Sequence, residues 1–334
     1  CSGVGGMHMA LNAAGFQTHG IDVEPRAVEI ANKNGLTTTQ ADVFDPDIVE
    51  HLKSFVPEPD VIHASSPCKG MSQASNATAL HKQWCNSITT RCVDIICQMN
   101  PRVFSMENVL HARSHPVWQA AVSKLNARGY HTAQVQLDAC RMGLGHSRRR
   151  LFVVGVRANG DDLIAVHHLQ SFISRCKHMM RDGTVTSIAD TCPELINKTL
   201  FSYPRRRENQ CVFSTDRPHP CIRSMCLAPP SASLLQNNPV NAGPIEDAEH
   251  PSIDVIKALC GFPPSFELSG RRVFDAQCLG NCVVVPMGRF IADFARSLVE
   301  FAGPPTPSST PGVSLVAKYA IPPVIWAHAT RRRD

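Results

Sequence analysis

Short apolar segments alternate with helix-length segments through the first half of the chain, and this alternation limits the fold more than any other feature. Helical apolar spacing marks residues 88–99, which stop before Pro101, and residues 117–128, which are followed by Gly129. Strands separated by such helices are typical of a parallel sheet with helices on both faces. We therefore predict an α/β fold with a doubly wound, mostly parallel sheet. The predicted strands are residues 18–23, 37–41, 61–65, 103–106, 132–137 and 151–156.

The composition is that of a globular protein with a substantial core. Of the 334 residues, 43% are hydrophobic and 18% are charged, and the length suits one large domain or two smaller ones. No apolar run approaches the roughly 18 residues that a membrane-spanning helix needs, so we expect no membrane contact. The formal net charge of +5 permits a nucleic acid as partner without requiring one.

The chain contains 14 cysteines, and none of them forms a C-x-x-C pair. No signal-like segment precedes the first motif, so we expect reduced thiols in an intracellular compartment. That compartment would be the nucleus in a eukaryote, or the cytoplasm for a bacterial or viral protein. Cys211, His219, Cys221 and Cys226 lie close together in the sequence. Their spacing matches no standard zinc pattern, so we expect no metal.

Residues 158–248 differ in character from the segments on either side. Strong periodicity fades there, and proline, cysteine, arginine and serine dominate, including the basic run YPRRR. Residues 249–302 regain helical spacing, with a helix predicted at 289–301. Residues 303–334 have the composition of a Pro-rich linker followed by a basic tail. The sequence thus predicts an α/β domain over residues 1–157, a smaller irregular domain, and a segment that returns to complete the first domain.

The chain opens with a glycine-rich turn before a helix-length segment. Gly3 and Gly5 would let a ligand approach the backbone and leave helix N–H groups free. Asp22 and Asp42 end the next two predicted strands, where a carboxylate can accept hydrogen bonds from ribose hydroxyls. The turn alone is a weak signal, because His8 breaks the dinucleotide fingerprint G-x-G-x-x-G. With both acids, it predicts a pocket for an adenosine-like cofactor.

Two chemically functional side chains follow later strands. Pro67 turns the chain after a predicted strand and puts the Cys68 thiol at the carboxyl edge of the sheet, where such folds bind ligands. A thiolate is a strong nucleophile, although a single cysteine is more often a packing residue. Glu107 follows the next predicted strand at the same edge, where a carboxyl group can hydrogen-bond or protonate a ring nitrogen. An acid stabilised by a helix N-terminus is the alternative interpretation of Glu107.

Three arginines open the last predicted strand of the first domain. Period-two alternation puts Arg148 and Arg150 on one face and Arg149 on the other. Two interpretations are open at this point. The arginines either supply cations to a site beside the cysteine or form a solvated basic edge that keeps the strand from pairing.

The order of these features is more informative than any one of them. A glycine turn, two strand-end acids, Pro-Cys, Glu-Asn-Val, alternating arginines, a variable region and a Leu-Gly-Asn segment follow one another. In this order the sequence resembles the cytosine-C5 DNA methyltransferases, over about residues 1–157 and 250–302. The resemblance implies a Rossmann-like catalytic domain that uses S-adenosylmethionine, a target-recognition region at about 158–248, and double-stranded DNA as partner. We also expect a monomer.

The resemblance assigns roles to the matching residues. Cys68 matches the nucleophile, Glu107 the acid on a ring nitrogen of the base, and Arg150 the arginine on its carbonyl oxygen. Arg148, on the same strand face as Arg150, joins the predicted catalytic set. The cofactor-binding residues implied are Ser2, Gly3, Val4, Gly5, Asp22, Val23, Asp42, Val43, Pro67, Ile88, Asn281 and Val283.

The implied reaction explains these residue types. The Cys68 thiolate would add to C6 of a cytosine flipped out of the duplex, which makes C5 nucleophilic enough to accept a methyl group. Glu107 would offset charge that develops at N3, and Arg150 would offset charge at O2. Loss of the C5 proton and expulsion of Cys68 would then restore the aromatic ring.

Four features depart from the family pattern. The chain begins inside the first motif, so we expect the first strand to be missing, and Cys1 stands where phenylalanine is usual. Gly145 and His146 replace the usual Pro-Gln before the arginines, and Lys69 replaces the glutamine that usually follows the nucleophile. Residues 249–257 lack the Arg-Glu pair of the family. Because the catalytic residues are all present, we expect an active enzyme.

Other functions stay open on the sequence alone. The same chemistry on RNA is one, although the Cys-Phe-Thr signature of the tRNA-directed branch is absent from the sequence. A catalytically silent nucleic-acid-binding module is another, suggested by the missing first strand. A nicotinamide-dependent dehydrogenase is disfavoured by the incomplete glycine fingerprint. Arg205, Arg206 and Arg207 either contact DNA phosphates or lie in a solvated loop.

Overall fold

The computed structural model describes residues 1–72, 77–157, 162–201, 212–222 and 248–301. Within these ranges strands and helices alternate through the first half of the chain, which confirms the predicted α/β character. None of the helices in these ranges combines the length and the apolar character that crossing a bilayer requires. The predictions for Arg205, Arg206 and Arg207, for Cys211 and Cys226, and for residues 303–334 fall outside the described residues.

The elements have the following bounds. The strands are β1 (Gly20–Asp22), β2 (Thr38–Gln40), β3 (Val61–Ala64), β4 (Val103–Asn108), β5 (Tyr130–Asp138), β6 (Arg149–Arg157), β7 (Thr199–Phe201) and β8 (Val212–Ser214). The helices are α1 (Gly6–Ala13), α2 (Pro25–Lys33), α3 (Ile48–Phe55), α4 (Ala79–Met99), α5 (Pro116–Ala127), α6 (Asp162–Asp182), α7 (Ile188–Thr191), α8 (Ile253–Leu259), α9 (Arg272–Asn281) and α10 (Val285–Phe301).

The sheet is mixed rather than mostly parallel. β1 pairs with β2 in parallel, and the larger sheet has the order β3-β4-β6-β5. β3 and β4 are parallel, but β6 is antiparallel to both β4 and β5. A parallel connection needs a crossover of about a dozen residues or more. Only residues 139–148 separate β5 from β6, so β6 returns in the opposite direction and the predicted parallel arrangement is confirmed only in part.

Helices cover both faces of the larger sheet. Phe104 and Met106 of β4 point into a core that they share with α3, α4 and α5. Phe152 and Val154 of β6 point into a second core, shared with α1, α2, α6 and α10. Alternate strand residues therefore supply two apolar layers, as a sheet buried on both sides requires. The two layers fix the positions of β4 and β6, which carry Glu107 and Arg150.

The helix α6 lies in a region that the sequence analysis expected to be irregular, and that expectation is wrong there. Leu169, Phe172 and Cys176 of α6 are buried. Phe172 stacks on Phe294 of α10, with ring centroids 3.9 Å apart. Leu169, Phe172 and Cys176 are spaced by three and then four residues, which is typical of a helix. The polar and basic residues between them obscured this pattern in the sequence.

Acid is expected to destabilise the protein, because folding lowers the pKa values of His8, His63 and His146. Burial lowers the pKa of His8 to about 4 and that of His63 to about 3, and it lowers the pKa of His146 well below its usual value. Below the usual histidine pKa of 6.5 the unfolded chain takes up protons that the folded chain does not. The free energy of unfolding should then fall by about 1.4 kcal/mol per pH unit for each such histidine.

Thermal and urea unfolding between about pH 7 and pH 5 measures this effect. His146→Gln removes one of the three groups, so this variant should lose less stability over the interval than the wild type. Equal losses in the two proteins would contradict the contribution of His146.

Candidate active site

Cys68 lies at the carboxyl end of β3, as predicted. It begins a 3₁₀ turn, Cys68–Gly70, directly after Pro67. The Met71 and Ser72 amides donate to the Cys68 carbonyl at 3.0 and 2.8 Å, which closes the turn. A Cβ on Gly70 would collide with Asn86 and with the Lys82 carbonyl, so the turn packs directly against α4. The Cys68 thiol is half-buried rather than sealed in the core.

Buried polar contacts hold the chain just before Cys68. The hydroxyl oxygens of Ser66 and Thr89 are 2.8 Å apart, and the Asn108 side-chain amide donates to the Ser66 carbonyl at 3.2 Å. All three side chains are buried. The sequence analysis gave no role to Thr89, and it named Asn108 only as part of the Glu-Asn-Val segment. A threonine on the buried face of α4 and an asparagine directly after Glu107 are the signals that could have revealed them.

The direction of β6 brings Arg150 to Glu107. In the antiparallel pair Glu107 of β4 is opposite Phe152, and Asn108 is opposite Leu151. The beginning of β6 therefore lies at the carboxyl end of β4. Arg150 Nε is 2.9 Å from Glu107 Oε1. A parallel β6 would have put Arg150 at the opposite edge of the sheet, so the direction that was not predicted is what assembles this pair.

Burial shapes the chemistry of the acid and the thiol. It raises the pKa of Glu107, although the Arg150 and Arg148 guanidinium groups act in the opposite direction. It also raises the pKa of Cys68, against the opposing charge of Arg150 and with a smaller opposing effect from Arg148. Glu107 is therefore easier to protonate than an exposed glutamate. The Cys68 thiolate depends on the two arginines for its stability.

Removing the positive charge of Arg150 should slow the reaction of Cys68 with iodoacetamide. The thiolate is the reactive form, and Arg150→Met would raise the pKa of Cys68 further. The alkylation rate, followed for the Cys68 peptide by mass spectrometry at about pH 8, should fall. Arg149→Met is the control, because Arg149 is 63% exposed and pairs with Asp138. A rate that is unchanged in Arg150→Met would contradict this electrostatic role.

Arg148 is buried and donates to three backbone carbonyls. Its guanidinium lies 2.6 Å from the Cys282 oxygen, 2.8 Å from the Gly280 oxygen and 3.3 Å from the Ile222 oxygen. These contacts join the start of β6 to the segment after α9 and to the segment after β8. They fit a positioning role. The catalytic role predicted for Arg148 stays a prediction.

The glycine turn is shaped by the first strand-end acid. Gly3 and Gly5 have φ angles of +56° and +96°, a conformation that favours glycine. The Gly3 amide donates to Asp22 Oδ2 at 2.7 Å, and the Glu24 amide donates to Asp22 Oδ1 at 3.0 Å. Asp22 therefore holds the turn open at the end of β1.

The predicted closing segment lies against this turn. A Cβ on Gly6 would collide with the Val283 carbonyl, so α1 and the residues after α9 approach as closely as glycine permits. Asn281 is the last residue of α9, and Val283 is buried. The structure thus brings together the two ends of the sequence motif series, which are far apart in the chain.

Exposed apolar side chains follow both strand-end acids. Val23 is 57% exposed and Phe44 is 42% exposed, each just past a strand-end acid. The Phe44 amide donates to Asp42 Oδ1 at 2.9 Å. Ser2 Oγ is buried and makes no hydrogen bond within the described residues. An open apolar surface, two carboxylates and an unsatisfied hydroxyl fit a cofactor with an adenine ring and a ribose.

The structure places other predicted cofactor residues in the core. Val4, Val43 and Ile88 are each at least nine-tenths buried, so their contact with a cofactor stays a prediction. Phe44 was not predicted. The signal that could have revealed it is an aromatic residue two positions after a strand-end acid.

A cavity of about 330 Å³ opens beside Arg150. Its lining joins the start of β6 to the segment after β8, and consists of Leu110, Ser147, Arg149, Arg150 and Cys221. Both arginines of the lining are ion-paired, Arg149 with Asp138 and Arg150 with Glu107. Within the described ranges, no three His, Cys, Asp or Glu side chains converge as metal ligands would.

The half-buried Cys68 and the Glu107–Arg150 pair lie at the end of the sheet where the sequence resemblance predicts a methyltransferase site. Comparison with known families agrees with this. Residues 1–295 match the family model described as C-5 cytosine-specific DNA methylase. The chain belongs to that family, and by family it is a DNA cytosine-5-methyltransferase.

Individual relatives cover nearly the whole chain. The Type II methyltransferase M.HgiDI of Herpetosiphon aurantiacus is 28% identical over 299 residues, which is 87% of this chain and 91% of that protein. The Type II methyltransferase M.HindV of Haemophilus influenzae is 26% identical over 301 residues, or 87% and 93% of the two chains. The crystal structure of the S. pombe Dnmt2 methyltransferase has a TM-score of 0.60 at 18% identity and covers 90% of this chain and 97% of its own. That structure shows a shared fold.

Proposed function

We propose that this protein transfers a methyl group from S-adenosylmethionine to C5 of a cytosine in double-stranded DNA, through a covalent adduct with Cys68. The observation that carries the proposal is the Glu107–Arg150 pair, joined at 2.9 Å, beside the half-buried Cys68 thiol. A nucleophile, a proton donor and a cation within one site are what a pyrimidine ring requires for addition.

Cys68, Glu107 and Arg150 each act on a different atom of the base. The Cys68 thiolate forms a bond to C6, the π electrons of the C5–C6 double bond move to C4–C5, and those of the C4–N3 double bond move to N3. Glu107 protonates or hydrogen-bonds N3, and Arg150 donates to O2, so both offset the negative charge that develops. C5 becomes an enamine carbon that accepts an electrophile. Loss of the C5 proton and departure of the Cys68 thiolate restore the double bond.

The residues around the glycine turn would hold the cofactor. Asp22 keeps the turn open and presents carboxylate oxygens for ribose hydroxyls, and Val23 and Phe44 offer apolar surface to an adenine ring. Ser2 Oγ is a further hydrogen-bonding group beside the glycine turn. When bound, S-adenosylmethionine supplies an electrophilic methyl group.

The target cytosine must flip out of the duplex, because its C5 and C6 atoms cannot be reached while the base is stacked. The cavity of about 330 Å³ beside Arg150 offers open space next to the proposed site. The net charge of +5 supports the same partner.

Incubation with methyl-labelled S-adenosylmethionine and either mixed-sequence DNA or tRNA tests the proposal. Sequencing of the products then maps the modified cytosines. Label at C5 of cytosine in DNA is the expected result. Label in tRNA alone would overturn the choice of substrate, and no label in either would overturn the activity.

A further inference from the structure

A buried lysine organises the connection between α8 and α9. Lys257 lies in the last turn of α8 and is buried, which is unusual for a lysine. Its ammonium donates to the Pro264 carbonyl at 3.0 Å and to the Phe266 carbonyl at 3.2 Å, and it is 3.0 Å from Asp254 Oδ1. We refer to residues 260–271 as the α8–α9 connection. Lys257 thus holds the middle of this connection against the helix that precedes it.

The carbonyl contacts of Lys257 matter more than its ion pair. The Asp254 side chain is 78% exposed, and an ion pair with an exposed carboxylate contributes little to stability. The contact with the Phe266 carbonyl is buried, so loss of the ammonium would leave a buried acceptor without this donor. Lys257 and Asp254 both lie within residues 249–257, the segment that lacks the Arg-Glu pair of the family.

The α8–α9 connection contacts the beginning of α1. A Cβ on Gly6 would be 3.5 Å from Phe262 Cζ, so the Phe262 ring lies directly against the residue that follows the glycine turn. The Phe262 and Phe266 rings are both buried, with centroids 4.5 Å apart. Because Lys257 binds the Phe266 carbonyl, it sets the position of the two rings that support the turn.

The same connection is attached to α2. The Asn34 side-chain amide donates to the Glu267 carbonyl, and the Glu267 backbone amide donates to Asn34 Oδ1, each at 2.8 Å. Lys33 adds an exposed ion pair to the Glu267 carboxylate. α2 begins at Pro25, three residues after Asp22. The connection therefore braces both helices that follow the proposed cofactor-binding residues.

We propose that Lys257 is a positioning residue for the S-adenosylmethionine site. Its ammonium fixes the α8–α9 connection, and the connection fixes the glycine turn through Phe262 and α2 through Glu267. This inference rests on the proposed function, since it concerns the cofactor of that reaction. Ligand affinity depends on how firmly the supporting residues hold the groups that contact the ligand. Loss of the ammonium should therefore weaken cofactor binding without altering the chemistry at Cys68.

Lys257→Met tests the proposal, because methionine removes the ammonium and keeps an unbranched side chain. Calorimetric titration of the full chain with S-adenosylmethionine should give a dissociation constant about tenfold larger than that of the wild type. The KM for S-adenosylmethionine should rise as well, while kcat at saturating cofactor stays within about twofold of the wild-type value. A residue that only stabilised the fold would lower the urea midpoint without this split between KM and kcat.

Lys33→Met is the matched control. It is the same substitution beside the same connection, but the side chains of Lys33 and Glu267 are 53% and 60% exposed. Its affinity for S-adenosylmethionine should be unchanged.

Asn34→Ala keeps the proposal testable if Lys257→Met does not fold, as judged by circular dichroism. It removes both hydrogen bonds to Glu267 from a half-buried position, so it should fold. Because it releases the same connection from α2, it should also weaken the binding of S-adenosylmethionine.

Three results would overturn the proposal. A folded Lys257→Met protein could bind S-adenosylmethionine as tightly as Lys33→Met does. Its kcat at saturating cofactor could fall by as large a factor as its KM rises. Finally, Lys257→Met could fail to fold while Asn34→Ala binds the cofactor with wild-type affinity. Failure of the proposed function is seen separately, as a wild-type protein that binds no S-adenosylmethionine and methylates no DNA.

Discussion

Cys68→Ser should abolish methyl transfer while leaving the binding of DNA and cofactor in place. A serine hydroxyl in the same turn has a far higher pKa than a thiol, so it supplies no comparable nucleophile for C6. Loss of a covalent nucleophile is expected to reduce the single-turnover rate by about 10⁴-fold or more. Transfer of labelled methyl groups to DNA measures the rate, and calorimetry measures binding.

Cys97→Ser is the control for this substitution. Cys97 is also a half-buried cysteine, but it lies near the end of α4, remote in sequence from the Cys68 turn. The control should keep its wild-type rate. A Cys68→Ser protein that transfers methyl groups at the wild-type rate would refute the assignment of the nucleophile.

Arg148→Met should destabilise the fold and weaken cofactor binding together. The Gly280, Cys282 and Ile222 carbonyls each lose a buried donor, and an unsatisfied buried polar group costs about 1–3 kcal/mol. We therefore expect the free energy of unfolding to fall by about 3 kcal/mol or more. Urea denaturation measures this change.

The cofactor effect follows from the same contacts. Gly280 and Cys282 flank Asn281 in the closing segment, so its position depends on the Arg148 guanidinium. The KM for S-adenosylmethionine should rise in Arg148→Met. Arg148→Lys keeps the positive charge but has fewer donors in a different geometry. Its stability and its KM for S-adenosylmethionine should therefore lie between those of the wild type and those of Arg148→Met. Wild-type stability and an unchanged KM in Arg148→Met would show that these contacts are dispensable.

Strand ends made much of the site predictable. Cys68 and Glu107 were assigned to one edge of the sheet because the carboxyl ends of parallel strands meet there, and β3 and β4 are indeed parallel. Asp22 follows the same rule at the end of β1. Arg150 reached its position for a different reason, since the short connection before β6 forces that strand to run backwards.

Other parts of the site carry no comparable signal. Arg148 and Arg150 look alike in an alternating pattern, and only tertiary structure separates a guanidinium bound to carbonyls from one bound to a carboxylate. The exposure of Phe44 depends on which neighbours cover it, and an isolated sequence does not contain that information. The direction of β6 could have been predicted from the length of the connection to β5.

The central claim is that the sulfur of Cys68 bonds to the target base, and trapping that adduct tests it most directly. Duplex DNA with 5-fluorocytosine at the mapped target is incubated with the enzyme and S-adenosylmethionine. Release of Cys68 requires the hydrogen at C5 to be removed as a proton. Fluorine at C5 cannot be removed in this way, so Cys68 stays attached to the base after methyl transfer. The account predicts a protein–DNA complex that survives denaturation, with the modified pyrimidine on the Cys68 peptide by mass spectrometry. Methylated DNA without a covalent complex, or an adduct on another residue, would contradict it.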